Sequence, residues 1–120
     1  MMSMNNLALA YLGDAVYELY IREYLIKQGI VKVNELQNKA INYVSAVSQR
    51  EILEKLESSS FFSPDEQTII NRGRNTSSHR SKSTDIITYK KSTGLECLIG
   101  YLYLNDKKRL EELMKEILGG

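Results

Sequence analysis

At 120 residues the chain is long enough for one hydrophobic core and short for two. One Pro and seven Gly among abundant Leu, Ile, Glu and Lys favour helices with short connections, and a net charge of +1 means that any nucleic-acid surface must come from local clustering. The single Cys97 excludes an internal disulfide framework and a Cys-based zinc site, and it fits a reducing compartment. No apolar run is long enough to span a bilayer. The nearest, residues 7–26, is interrupted by Asp14, Glu18, Arg22 and Glu23. The opening MMSMNN lacks a basic segment followed by a cleavable apolar one, so no signal peptide is expected and a cytoplasmic location is the default.

Residues 7 to about 27 read as a long helix, with Leu12, Ala15, Val16, Leu19, Tyr20 and Tyr24 recurring at spacings of three and four. Asn5 or Asn6 can cap it and Gly29 can stop it. Its apolar stripe is wide enough for the central helix of a bundle. Asp14, Glu18 and Arg22 share one face at i, i+4 and i+8. Residues 33–57 carry the next helical pattern, with Asn34 as a cap and Leu36, Ala40, Tyr43, Val44, Val47, Ile52, Leu53 and Leu56 as apolar positions. Ser45 and Ser48 mark a candidate break into two helices. Ser63-Pro64-Asp65-Glu66 then reads as a helix start, with a cap, Pro at the first position and acids in the first turn. That short helix is expected to end near Arg72.

Residues 72–84, RGRNTSSHRSKST, contain neither an apolar nor an acidic side chain and read as a mobile basic loop. Residues 85–89 are ambiguous and lead into a helix over 88–104, which Asn105-Asp106 breaks. Residues 107–118 form a last amphipathic helix with Leu110, Leu113, Met114 and Ile117 inward. The expected fold class is all-α, a helical bundle forming a single domain over residues 1–120.

Gly13 and Asp14 lie in the middle of the most apolar stretch, LALAYLGDAVYE. Gly costs about 1 kcal/mol relative to Ala inside a helix, and Asp is also unfavourable there. The plain explanation for one such acid is partial exposure or a cation partner, as Glu18 has in Arg22. Glu96 changes the weighing. It sits in a second apolar segment, TGLECLIGYLYL, with Gly94 and Gly100 nearby. Two helices thus each bring an acid and a glycine into core-like sequence. Glycines let helices approach closely, and inward carboxylates from neighbouring helices build divalent-metal sites in bundles. Hard oxygen donors favour Mg²⁺, with Mn²⁺ as a substitute, and the lone His79 lies in the loop, which argues against zinc.

The basic loop has its own plain explanation, a solvated connection. Yet Arg72, Arg74, His79, Arg80 and Lys82 crowd into eleven residues of a nearly neutral chain, and Lys90 and Lys91 extend the positive stretch. Arg and Lys among Ser, Thr and Asn are the side chains that contact phosphate and sugar. No aromatic is interleaved to stack on bases, so a duplex is a better expected partner than a single strand. The eight tyrosines read as core or interface residues, with Tyr17, Tyr20 and Tyr24 as candidates for a dimer interface. A Gly-rich phosphate loop, a nucleophile elbow and a Cys–His pair are all missing from the sequence.

Tyr11-Leu12-Gly13-Asp14-Ala15-Val16 resembles the catalytic signature of the ribonuclease III family, and Glu96-Cys97-Leu98-Ile99-Gly100-Tyr101-Leu102-Tyr103-Leu104 resembles that family's second motif. The spacing between them is similar as well. The run Arg72-Gly73-Arg74-Asn75 resembles the Mini-ribonuclease III subgroup, which has the catalytic domain without a double-stranded-RNA-binding domain. The resemblance covers nearly the whole chain. It implies an all-α ribonuclease III endonuclease-domain bundle, acting as a homodimer on double-stranded RNA. It implies Mg²⁺-dependent hydrolysis that leaves 5′-phosphate and 3′-hydroxyl ends. The substrate it implies is precursor 23S ribosomal RNA, trimmed at both ends during maturation, with a ribosomal protein as a candidate accessory partner. Asp14 then matches the catalytic aspartate and Glu96 the catalytic glutamate, both as metal ligands. Ala10 and Thr93 stand where full-length ribonuclease III has two further carboxylates, which leaves the metal count open between one and two. The competing expectation is a non-catalytic, ribosome-associated RNA-binding module of the same fold. A helical interaction adaptor would explain the tyrosines but not the basic loop.

Overall fold

Asn5 starts the first helix. Its backbone is extended, and its side-chain oxygen accepts the amides of Leu7 and Ala8 at 2.8 and 3.2 Å. Two amides that the helix itself cannot pair are thereby satisfied. A computed structural model describes residues 5–76 and 85–119, and these form six helices and no strand. α1 spans Asn6–Lys27, and Gly29, at φ 91°, turns the chain out of it. α2 spans Val33–Val44. It begins after Lys32 without a side-chain cap, so Asn34 lies inside the helix and does not cap it.

The break in the next stretch falls at Ser45, whose backbone is extended with ψ 153°. Its hydroxyl oxygen accepts the Ser48 amide at 3.1 Å and so caps α3, Ala46–Ser58. α4, Pro64–Thr76, opens with a reciprocal pair: Ser63 Oγ accepts the Glu66 amide at 3.2 Å, and Glu66 Oε1 accepts the Ser63 amide at 2.9 Å. α5, Ile86–Asn105, opens at Asp85, which accepts the Thr88 amide at 2.8 Å and its hydroxyl at 3.0 Å. The ambiguous residues 86–89 are therefore its first turn. α6 spans Lys107–Gly119.

Two further expectations need correcting. The basic segment does not start at residue 72, because α4 continues to Thr76. Composition suggested a loop, but Ile70 and Gly73 are buried against α5, and that packing carries the helix on. Tyr17 is not an interface residue either. It is fully buried in the core, with its hydroxyl donating to the Tyr43 carbonyl at 2.9 Å, whereas Tyr20 and Tyr24 are half-buried.

α5 lies at the centre of the bundle. Leu95, Cys97, Leu98 and Ile99 have no exposed surface, and Tyr17 and Ile21 of α1, Leu53 of α3, Ile70 of α4 and Leu113 of α6 are equally buried. Each such aliphatic side chain contributes about 1.5–3 kcal/mol by leaving water. α2, in contrast, has no buried residue. α6 is tied down by Arg109, whose Nε and Nη2 grip the Glu66 carboxylate at 2.7 and 2.9 Å while Nη2 also reaches the Phe61 carbonyl at 2.9 Å. This guanidinium holds the Glu66 carboxyl below the usual range. No helix among the described residues is long and apolar enough to cross a membrane.

α1 and α5 meet backbone to backbone. A Cβ on Gly13 would stand 1.8 Å from the Glu96 carbonyl oxygen, and one on Gly100 would stand 2.0 Å from the Leu9 carbonyl oxygen. Backbone cannot move aside as a flexible side chain can. Gly100→Ala is therefore expected to destabilise the protein by about 3 kcal/mol or more, the upper end of overpacking costs. Gly119→Ala, with nothing within 4 Å, serves as the control and should change stability by less than about 0.5 kcal/mol. Urea denaturation compares the two, and equal midpoints would mean that the helices do not cross this closely.

Candidate active site

Asp14 follows Gly13 on α1, and Glu96 is the residue whose carbonyl Gly13 touches on α5. The glycine contact thus brings the two carboxylates to the same point of the helix crossing. Asp14 is exposed, whereas Glu96 is half-buried. The Glu96 carboxyl is pushed up to about 8, first by burial and then by the Asp14 carboxylate beside it, with the Gln49 amide pulling the other way. Neutralisation of one member is the ordinary response of two close carboxylates in a poorly solvated place.

Gln49, on α3, completes the group, and nothing in the residue pattern had singled it out. Its Nε2 donates to Glu96 Oε2 at 3.2 Å. It could have been found as a polar residue on an apolar stripe, since Gln49, Leu53 and Leu56 fall at i, i+4 and i+7 and all three are buried.

The two positions that lack carboxylates are committed elsewhere. Ala10 packs with Leu9 and Cys97, and the Thr93 hydroxyl donates to the Tyr89 carbonyl at 2.9 Å. No group of three or more His, Cys, Asp or Glu side chains is gathered among the described residues. Two adjacent carboxylates without a nitrogen or sulfur donor are hard-oxygen chemistry. Burial and the adjacent Asp14 both disfavour a charged Glu96, and a divalent cation would offset both, so the donor set fits Mg²⁺ or Mn²⁺.

The cations fall into different settings. Arg72 is exposed near the end of α4, while the half-buried Arg74 lays its stem over Gly94. His79, Arg80 and Lys82 lie outside the described residues, as does the rest of 77–84. Lys91 pairs with Glu54, which also accepts Arg50 Nε at 3.0 Å, so its charge is compensated within the fold. Arg50 in turn donates to the Thr88 hydroxyl at 2.9 Å, tying α3 to the first turn of α5. Glu18 pairs with Arg22 at 3.2 Å along α1 and plays a local part.

Comparison with known proteins places this geometry. The family described as Ribonuclease III domain matches residues 7–107. Mini-ribonuclease 3 of Enterococcus faecalis is 45% identical over 92% of this chain and 86% of its own length. Mini-ribonuclease 3 of Staphylococcus aureus is 44% identical over 96% and 87%. A crystal structure of a Fusobacterium nucleatum protein superimposes with a TM-score of 0.85 at 28% identity, covering 97% of this chain and 94% of that one. The chain belongs to the ribonuclease III domain family, among relatives named Mini-ribonuclease 3, and is an endoribonuclease.

Proposed function

We propose that this endoribonuclease hydrolyses double-stranded RNA with Mg²⁺ held by Asp14 and Glu96, and that it matures both ends of precursor 23S ribosomal RNA as a homodimer of single catalytic domains. The observation that carries the reading is the juxtaposition of Asp14 and Glu96 at the glycine crossing. The ribonuclease III family is generally metal-dependent, and its domain implies a duplex substrate. Mn²⁺ would serve as a substitute, having the same preference for oxygen donors. The ribosomal substrate is proposed from what the resemblance to the Mini-ribonuclease III subgroup implies, and this chain is similar to proteins of that name.

When bound, a divalent cation supplies a water of lowered pKa and positive charge for the scissile phosphate. The chain supplies the rest. Asp14 presents an exposed carboxylate toward solvent, the side from which RNA must arrive. Glu96 offers a second oxygen donor from within the crossing. Arg72, Arg74, His79, Arg80 and Lys82 are the proposed contacts to RNA phosphates, being the side-chain types that reach phosphate and sugar.

The homodimer reading rests on uncovered apolar surface. α2 packs on the core only through half-buried side chains such as Leu36, Ala40 and Tyr43, and Leu19 and Ile26 of α1 and Val33 and Ile41 of α2 are each more than half exposed. Such a face is too apolar to stand alone comfortably in water. Sedimentation at micromolar concentration should give a dimer, and charges introduced as Ile26→Glu with Ile41→Glu should yield monomers. A wild-type protein that is already monomeric would remove this part of the proposal.

The chemistry is tested with labelled duplexes, one copied from the paired ends of precursor 23S RNA and one unrelated. Asp14→Asn and Glu96→Gln should each lower Mg²⁺-dependent cleavage about a thousandfold or more, the scale of losing several kcal/mol of charge stabilisation. Duplex binding should survive. Arg74→Gln with Arg80→Gln and Lys82→Gln should do the reverse, weakening binding and flattening its salt dependence by roughly one log unit per log unit of salt for each phosphate no longer neutralised. Cleavage retained in Asp14→Asn removes Asp14 from the mechanism. Binding without cleavage of either duplex by the wild type would remove both from its substrates. Equal cutting of both duplexes would leave the ribosomal assignment without support.

The raised Glu96 carboxyl has a consequence for stability. The unfolded chain titrates this group near its ordinary 4.5, and the folded protein near 8. Between those values the folded state binds a proton that the unfolded state does not. Stability of the metal-free protein should therefore fall as pH rises from about 5 to about 8. Glu96→Gln should remove that slope, and Mg²⁺ should restore the wild type at the upper end. Thermal melts across the range read this directly, and a slope unchanged in Glu96→Gln would assign it to other groups.

A further inference from the structure

Gln49 carries more than a packing role accounts for. It is 2% exposed, and it occupies a position where Leu or Met would complete the apolar stripe of α3. Its Nε2 has two hydrogens, and both are used. One goes to the Val44 carbonyl at 3.1 Å and the other to Glu96 Oε2 at 3.2 Å. Its Oε1 is buried with no hydrogen-bond partner among the described residues. An unpaired buried acceptor is a cost that an apolar side chain would not carry. Turning the amide over does not remove the cost, because Oε1 would then face the Val44 carbonyl, itself only an acceptor.

The anchor for this amide arises from the break between α2 and α3. Val44 is the last residue of α2. The Ser48 amide, which would pair with its carbonyl in a continuous helix, is taken by the Ser45 hydroxyl at 3.1 Å. The Val44 carbonyl is therefore free to orient Gln49. The helix break, the buried amide and the Glu96 carboxylate form one chain of contacts that ends at the crossing of α1 and α5.

We infer that Gln49 is a positioning residue for the cation: it occupies Oε2 of Glu96 and fixes the carboxylate so that Oε1 is left, with Asp14, for the metal. This inference rests on the assignment of Asp14 and Glu96 as metal ligands. Gln49 itself touches neither the cation nor the RNA. Its effect should appear as metal affinity, since partners that orient a ligand typically tune affinity by about 10–100-fold.

The test compares wild type, Gln49→Met, Gln49→Leu and Asp14→Asn, with Mn²⁺ as the probe read by electron paramagnetic resonance. Duplex cleavage is followed against Mg²⁺ concentration in parallel. Wild type should bind Mn²⁺ and Asp14→Asn should not. Gln49→Met should fold cooperatively, bind Mn²⁺ about tenfold or more weaker, and recover cleavage when Mg²⁺ is raised, with KM for the duplex unchanged. A purely structural role would not separate metal dependence from KM in this way. Gln49→Met with wild-type Mn²⁺ affinity, while Asp14→Asn has lost it, overturns this inference and leaves the metal site standing. Equal Mn²⁺ binding by wild type and Asp14→Asn overturns the metal site, and this inference falls with it. Should neither Gln49 variant fold, the Gln49 side-chain amide of the wild type is followed by nuclear magnetic resonance during Mg²⁺ addition. Its signals should move at the concentrations that activate cleavage, and signals unmoved at saturating Mg²⁺ overturn the inference.

Discussion

The backbone contact between α1 and α5 is the constraint on which the rest of the structure depends. Gly13 lies against the Glu96 carbonyl and Gly100 against the Leu9 carbonyl, so each helix gives the other a surface with no side chain between them. Glycine is normally a cost in a helix, and here that cost is offset by the packing that close approach allows. A similar device operates on the other flank of α5. A Cβ on Gly73 of α4 would stand 3.1 Å from the Gly94 Cα, and Arg74 lays its stem over the same glycine. Held on two sides, α5 can be apolar nearly all round, and its buried residues become the centre on which α3 and α6 also pack.

The same spacing sets the electrostatics of the site. Burial at the crossing, and then the neighbouring Asp14 carboxylate, both push the Glu96 carboxyl up in the metal-free protein. What is unfavourable for two anions is favourable for two anions around a cation. The Gln49 amide stabilises the Glu96 carboxylate through one oxygen, so the arrangement does not rest on a proton alone. Farther out, charges are arranged for stability. Glu54 joins Lys91 across α3 and α5, with Arg50 beside it on α3, and Glu66 joins Arg109 across α4 and α6.

Much of this was legible as pattern. Asp14 and Glu96 stood out because an acid and a glycine within an apolar helix break a local rule twice, and rules are broken most often where function requires it. Caps were legible where a polar residue precedes a helical run, as at Asn5 and Ser63, because their hydrogen bonds span only a few residues. Asn34 misled for the same reason: the residue type was right, but the chain was already helical on either side of it. The extension of α4 through residues 72–76 was hidden because composition there favours a loop, and only contact with α5 outweighs it. Val47 fits an apolar position by periodicity, yet it points outward at 52% exposure because the break at Ser45 resets the phase of α3.

By itself, the sequence determined the all-α class, most helix limits and the pair of acids, since these follow from local periodicity, capping and residue chemistry. Tertiary structure alone decided how near those acids lie to each other, which of them is desolvated, and that Gln49 reaches Glu96 across 47 positions of chain. The physical reason is that desolvation and long-range hydrogen bonds are properties of a packed interior. No run of neighbouring residues contains them until Gly13 and Gly100 have brought α1 and α5 into contact.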